Sequence, residues 1–149
     1  MREILFRGKR VDNGEWVYGD LLQDRDLNSF AIEYFDYYTD ENGRQRDYCQ
    51  DEIIPETVGQ YTGIPDGNNR KMYDGDICCF SILGNDETLV KISYRYGTPG
   101  FEPVFPEQVH PDDRKWNPFY KEEDEEIWNP HYFRVIGNIH DNPELLGVE

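Results

Sequence analysis

Two carboxylates separated by one glycine, Asp74 and Asp76 in the run Tyr73-Asp74-Gly75-Asp76, could share acid and base work if both faced one substrate. Asp and Gly are also the residues of tight turns, the first accepting backbone N–H groups and the second reaching positive φ, and the run reads more simply as a turn. The histidines His110, His131 and His140 are 21 and 9 residues apart, so none has the four-residue spacing of a zinc site on a helix. Cys49, Cys78 and Cys79 form no C-x-x-C pair, and the two adjacent cysteines on a strand face opposite ways; all three read as small reduced hydrophobes. The acid run Glu122-Glu123-Asp124-Glu125-Glu126 lacks the alternation and the glycine of a calcium loop and reads as a solvated face. No phosphate-binding loop or dinucleotide fingerprint occurs. The sequence therefore assigns no catalytic, cofactor-binding or metal-binding residue. An enzyme would need residues that only the fold unites, such as His140 with Asp141 or Asp76.

The elements that would have to position any site are mostly strands. Ile4-Leu5-Phe6 reads as a first strand, turned at Asp12-Asn13-Gly14 into Trp16 to Leu22, because Asn-Gly suits a hairpin turn. Phe30 to Phe35 is apolar on both parities apart from Glu33, which predicts a strand covered on both faces, and Asp40-Glu41-Asn42-Gly43 offers a second hairpin turn. Val58 to Phe80 reads as strand, loop, turn and strand, punctuated by glycines and Pro65. Gly84-Asn85-Asp86 then reverses the chain into a half-buried strand in which Val90, Ile92, Tyr94 and Tyr96 alternate with polar residues. Residues 108–131 are expected to form a surface excursion pinned by its aromatics, with Trp116-Asn117-Pro118 and Trp128-Asn129-Pro130 flanking the acid run and Asn117-Pro118 starting a helix. Tyr132 to Ile139 closes the strands, and Asn142-Pro143-Glu144-Leu145-Leu146-Gly147 spells a very short helix.

Composition limits what such a domain can do. A chain of 149 residues with 11 Tyr, 8 Phe and 3 Trp can bury an aromatic core as one domain, with 58–109 as its central part. Its net charge is −16, and residues 11–57 hold 13 acids against 3 bases, so direct nucleic-acid binding is not expected. The local bases Arg2, Arg7, Lys9 and Arg10 read as a solvated strand edge. Met1 to Arg7 returns to charge too soon for a secretory signal, and no apolar run is long enough to span a membrane, which together predict a cytosolic protein.

Several motifs together carry a family resemblance. Arg2-Glu3-Ile4-Leu5-Phe6-Arg7, Gln60-Tyr61-Thr62-Gly63-Ile64-Pro65-Asp66, Met72-Tyr73-Asp74-Gly75-Asp76-Ile77, Val135-Ile136-Gly137-Asn138-Ile139 and Asn142-Pro143-Glu144-Leu145-Leu146 resemble, in that order, the YopX family of phage and prophage proteins. The resemblance implies a mainly β domain with a small SH3-like barrel or roll, added hairpins and one or two short helices, acting in a bacterial cytoplasm. It brings no activity, cofactor or catalytic residue. Asn68-Asn69 stands where the family often has Asn-Gly, and 108–131 has no counterpart in the resemblance.

The function these readings favour is a non-enzymatic module binding an unidentified protein, with Trp116, Phe119 and Trp128 as contact residues and Tyr61 and Tyr73 as core. An acidic DNA-mimic decoy blocking a host nucleic-acid enzyme is the alternative that the charge suggests. Open strand edges would allow a homo-oligomer, which like charge opposes at low salt.

Overall fold

The computed structural model describes residues 3–82, 84, 86–121 and 126–147, with side chains for all of these but Tyr120, Lys121, Glu126 and Ile127. The chain forms two compact units, Met1–Tyr61 and Thr62–Glu149. Both are antiparallel β structures, as the sequence predicts.

The first unit opens with β1 (Phe6–Lys9), β2 (Trp16–Asp24), β3 (Ser29–Asp40) and β4 (Gly43–Ile53), and ends in the first residues of β5 (Gly59–Pro65). Strand order is β4-β3-β2-β1-β5, so each successive strand pairs with its neighbour until β5 returns beside β1. The expected Asn-Gly turn joins β1 to β2, with Gly8 opposite Val17 and Lys9 opposite Trp16. The β3–β4 hairpin keeps an uninterrupted register from Phe30↔Ile53 to Asp40↔Gly43, a two-residue connection that Gly43 permits by taking φ +100°. Val17, Ile32 and Ile53 form a small core, with Phe6, Leu21, Phe30, Tyr34 and Val58 packed on it. No ladder closes this sheet among the described residues, although a single bridge, Arg10↔Ile53, brings the end of β4 against the chain just after β1.

Two expectations for this unit change. The strand from Phe30 is covered on both faces only at its start: Ile32 is fully buried, but Phe35 is 44% exposed because the hairpin runs out beyond the core. Arg7 is not part of a solvated edge. It is buried, its guanidinium stacked 4.6 Å from the centre of the Trp16 ring, where an aromatic face replaces water around a planar cation.

The second unit holds the rest of β5, then β6 (Lys71–Tyr73), β7 (Asp76–Phe80), β8 (Thr88–Arg95), β9 (Thr98–Pro103), β10 (Asn117–Pro118), β11 (Tyr120–Lys121), β12 (Glu126–Ile127) and β13 (Phe133–Asn138). A five-stranded sheet runs β10-β9-β8-β7-β13, and β11 and β12 form a small ribbon. The β7–β8 hairpin appears as the period-two pattern requires, with Val90 and Ile92 buried. Its expected turn, Gly84-Asn85-Asp86, falls only partly among the described residues, since Asn85 lies outside them. The core joins Ile64, Met72, Cys78, Val90, Ile92, Phe101, Phe119, Phe133 and Val135. Phe101, Phe119 and Phe133 meet with ring centres 5.0 to 5.5 Å apart, which bears out an aromatic-rich interior.

The described helices are all single 3-10 turns. Asn117-Pro118 starts no helix: both residues lie on β10, paired with Phe101 and Gly100 of β9. The same Asn-Pro signal works at Asn129-Pro130, where the Asn129 side chain accepts from the His131 N–H at 3.0 Å, and it opens the predicted short helix Pro143–Leu146. Gly147 ends that helix in the left-handed conformation.

Candidate functional site

The Asp- and Gly-rich turns turn out to be scaffolding. Asp66, in the Pro65-Asp66 step, is buried, and its carboxylate accepts from the N–H groups of Asn68 (2.9 Å), Arg70 (2.8 Å) and Val135 (2.9 Å). One side chain thereby shapes its own turn and ties it to β13. Asn69 takes φ +64°, so it adopts the left-handed conformation a glycine would supply, which Asn tolerates better than most residues. Asp76 does the same service in the next turn, accepting from the Tyr73 N–H at 2.7 Å, while Gly75 takes φ +93°. The Asp74-Gly75-Asp76 step is a turn, as its composition suggests. Among the histidines, His110 and His131 are exposed on 3-10 turns and His140 follows β13. No group of three or more metal-ligating side chains occurs among the described residues.

Residues 109–117 and Trp128 help to line a pocket. Trp116 lies flat on β9 because Gly100 has no side chain: a Cβ there would come within 2.4 Å of the Trp116 ring. Phe119 follows, fully buried, its N–H donating to the Pro99 carbonyl at 3.0 Å and its carbonyl accepting from Trp128 at 3.1 Å. The first bond ties the segment to β9, and the second holds Trp128 beside the buried Phe119. The acidic residues 122–125 lie outside the described residues.

Between these anchors and the β7–β9 face is a cavity of about 390 Å3. Phe80, Phe101 and Trp128 form its aromatic floor, with Phe80–Trp128 and Phe101–Trp128 ring centres at 6.0 and 5.3 Å in edge-to-face contact. Val109 and Pro103 make a wall, and Asp112, Asp113, Lys115 and Asn117 stand around the mouth. Asp112 and Asp113 reach that position on the 3-10 turn Pro111–Asp113, which His110 caps by accepting the Asp112 N–H at Nδ1. The volume is at the lower end of the range for ligand pockets and suits one inserted side chain. An apolar floor whose rim carries two carboxylates and the Lys115 ammonium keeps an acidic excess of one, which is complementary to an apolar group that has a cation beside it.

Of the three residues singled out from the sequence, Trp128 lines this cavity. Phe119 sits beneath it in the core and packs rather than contacts. Trp116 holds the segment to β9, with Arg95 stacked 5.5 Å above its ring. The pocket residues Phe80, Val109, Asp112 and Asp113 carry no sequence signal of their own.

The YopX protein family model matches residues 5–147. The chain belongs to the YopX family. No curated protein matches it. Among solved structures, the crystal structure of protein EF1440 from Enterococcus faecalis is similar at a TM-score of 0.54 and 20% identity, covering 98% of this chain and 99% of that one. That likeness concerns the fold alone: a similar arrangement of strands is found with four residues in five changed. No helix among the described residues is long and apolar enough to cross a membrane.

Proposed function

We propose that this YopX protein is a non-enzymatic binding module, encoded by a phage or prophage and acting in the bacterial cytoplasm on a host protein. The observation that carries this reading is the aromatic-floored cavity with Asp112 and Asp113 at its mouth. Its partner presents an apolar side chain for the floor and a flanking Lys or Arg for the rim. Aromatic, well-packed pockets are where binding energy concentrates, while rim charges steer approach and select the partner.

Affinity capture from host lysate with the parent and a Val109→Arg variant tests the proposal, because Arg at that wall fills the cavity from a loop without entering the core. A basic partner held by the parent at high salt and released by Val109→Arg supports the pocket. Capture unaffected by Val109→Arg contradicts it, and capture lost for both proteins at high salt favours the acidic decoy, whose basis is the net charge of −16 alone.

A further inference from the structure

The β3–β4 hairpin carries a surface unrelated to that pocket. Phe35, Tyr37 and Tyr48 share one of its faces, because residues opposite each other in an antiparallel pair point the same way and Phe35 faces Tyr48. They are 44%, 54% and 56% exposed. Arg46 stacks 4.3 Å over Phe35 and Arg44 4.9 Å over Tyr37, while the Tyr48 hydroxyl donates to Glu33 at 2.6 Å. β4 is also the end strand of its sheet. Long edges without a proline or bulge invite another strand, and β4 has neither from Gly43 to Ile53.

Which backbone groups face that edge follows from the hairpin. Asp40 and Gly43 close a two-residue turn, so the amides of Gly43 and every second residue after it point at β3. Those of Arg44, Arg46, Tyr48 and Gln50 point outward. The Glu52 carbonyl confirms the alternation, since it faces out and accepts from the Val11 N–H at 3.0 Å. That contact also ends the open edge, leaving 44–50 available.

We infer that this edge pairs antiparallel with the same edge of a second copy, about a two-fold axis at Tyr48. Charge selects both the partner and the register. Arg44 and Arg46 lie at one end of β4 and Asp47, Asp51 and Glu52 towards the other, so a two-fold operation brings bases towards acids. Centred on Tyr48, Arg46 meets Gln50 of the second copy, Arg44 points towards Glu52, and Asp47 meets Cys49. Moving the axis to Asp47 or Arg46 sets like charges directly opposite each other, and moving it to Cys49 sets Asp47 against Asp51. At Tyr48 the exposed aromatic faces of the two copies become one.

The register gives a direct test. Asp47 and Cys49 of the second copy form a non-hydrogen-bonded pair, whose Cα separation of about 4.5 Å suits a disulfide. In a Cys79→Ser background, mild oxidation of Asp47→Cys is expected to give a disulfide-linked dimer on a non-reducing gel, while the background protein with Cys49 alone gives none. Sedimentation equilibrium of the unmodified protein is expected to show a dimer whose dissociation constant rises at least about tenfold in Arg44→Glu/Arg46→Glu, with near-UV circular dichroism showing that variant folded. A monomer at every concentration, a dimer indifferent to the charge reversal, or cross-linking through Cys49 alone would overturn the inference.

Discussion

Replacing Asp66 by Ala removes the acceptor for three backbone N–H groups, those of Asn68, Arg70 and Val135, all within 2.9 Å of its carboxylate. A hydrogen bond to a charged acceptor contributes about 1.5–3 kcal/mol, but the three do not add in full. The Asn68 and Arg70 N–H groups lie in a part-buried turn and can turn to water, whereas the Val135 N–H is buried on β13. We expect a loss of about 3–5 kcal/mol for Asp66→Ala and about 1–2 kcal/mol for Asp66→Asn, which keeps one acceptor oxygen. In urea, with a slope of about 2 kcal/mol per molar, the Ala variant's midpoint falls by roughly 2 M. Unfolding followed by tryptophan fluorescence measures both. An Ala variant within about 1 kcal/mol of the parent, or no less stable than the Asn variant, would refute the claim that this carboxylate organises the turn.

Three further outcomes can be checked. The Tyr34 hydroxyl donates to Asp51 at 2.6 Å, and this bond to the carboxylate, followed by burial, pushes its pKa from 10.0 up to about 12. Because the neutral phenol is the favoured form in the fold, its contribution is complete below pH 10 and is lost as pH rises towards 12; absorbance titration of the parent against Tyr34→Phe should lose one late-titrating tyrosine. Gly100→Ala would drive a Cβ into the Trp116 ring and the Asn117 carbonyl, each 2.4 Å away, and should destabilise the fold by about 1–3 kcal/mol in thermal melts and loosen Trp116. Burial, then the neighbouring Asp76, raises the Cys78 thiol well above its ordinary pKa, so a thiol reagent should leave Cys78 unlabelled until the protein unfolds.

Much of the fold was legible because local chemistry agreed with it. Asn13-Gly14, Asp40 to Gly43 and the alternation from Val90 to Tyr94 each specified a hairpin or strand that formed. Asn117-Pro118 misled because a helix cap is a local preference, and the tertiary gain of stacking Trp116 on Gly100 and burying Phe119 outweighed it. Arg7 misled because charge alone does not reveal an aromatic partner, and Trp16 meets it only through the β1–β2 register. The candidate site was half legible. Trp128 stood out as a large aromatic in an irregular segment, but the cavity it floors also needs Phe80, Phe101 and Val109, which come together only through long-range strand pairing. Asp66 was visible as part of a motif, yet its bond to Val135 spans 69 residues and leaves no local trace.

The central claim, that the cavity beside Trp128 receives a partner's side chain, is tested most directly by the three indole N–H resonances of Trp16, Trp116 and Trp128. Titration of the labelled protein with a captured basic partner is predicted to shift the Trp128 signal, to leave Trp16 in place, and to have no effect on Trp128 in Val109→Arg. A partner that binds while the Trp128 resonance stays still would contradict the account.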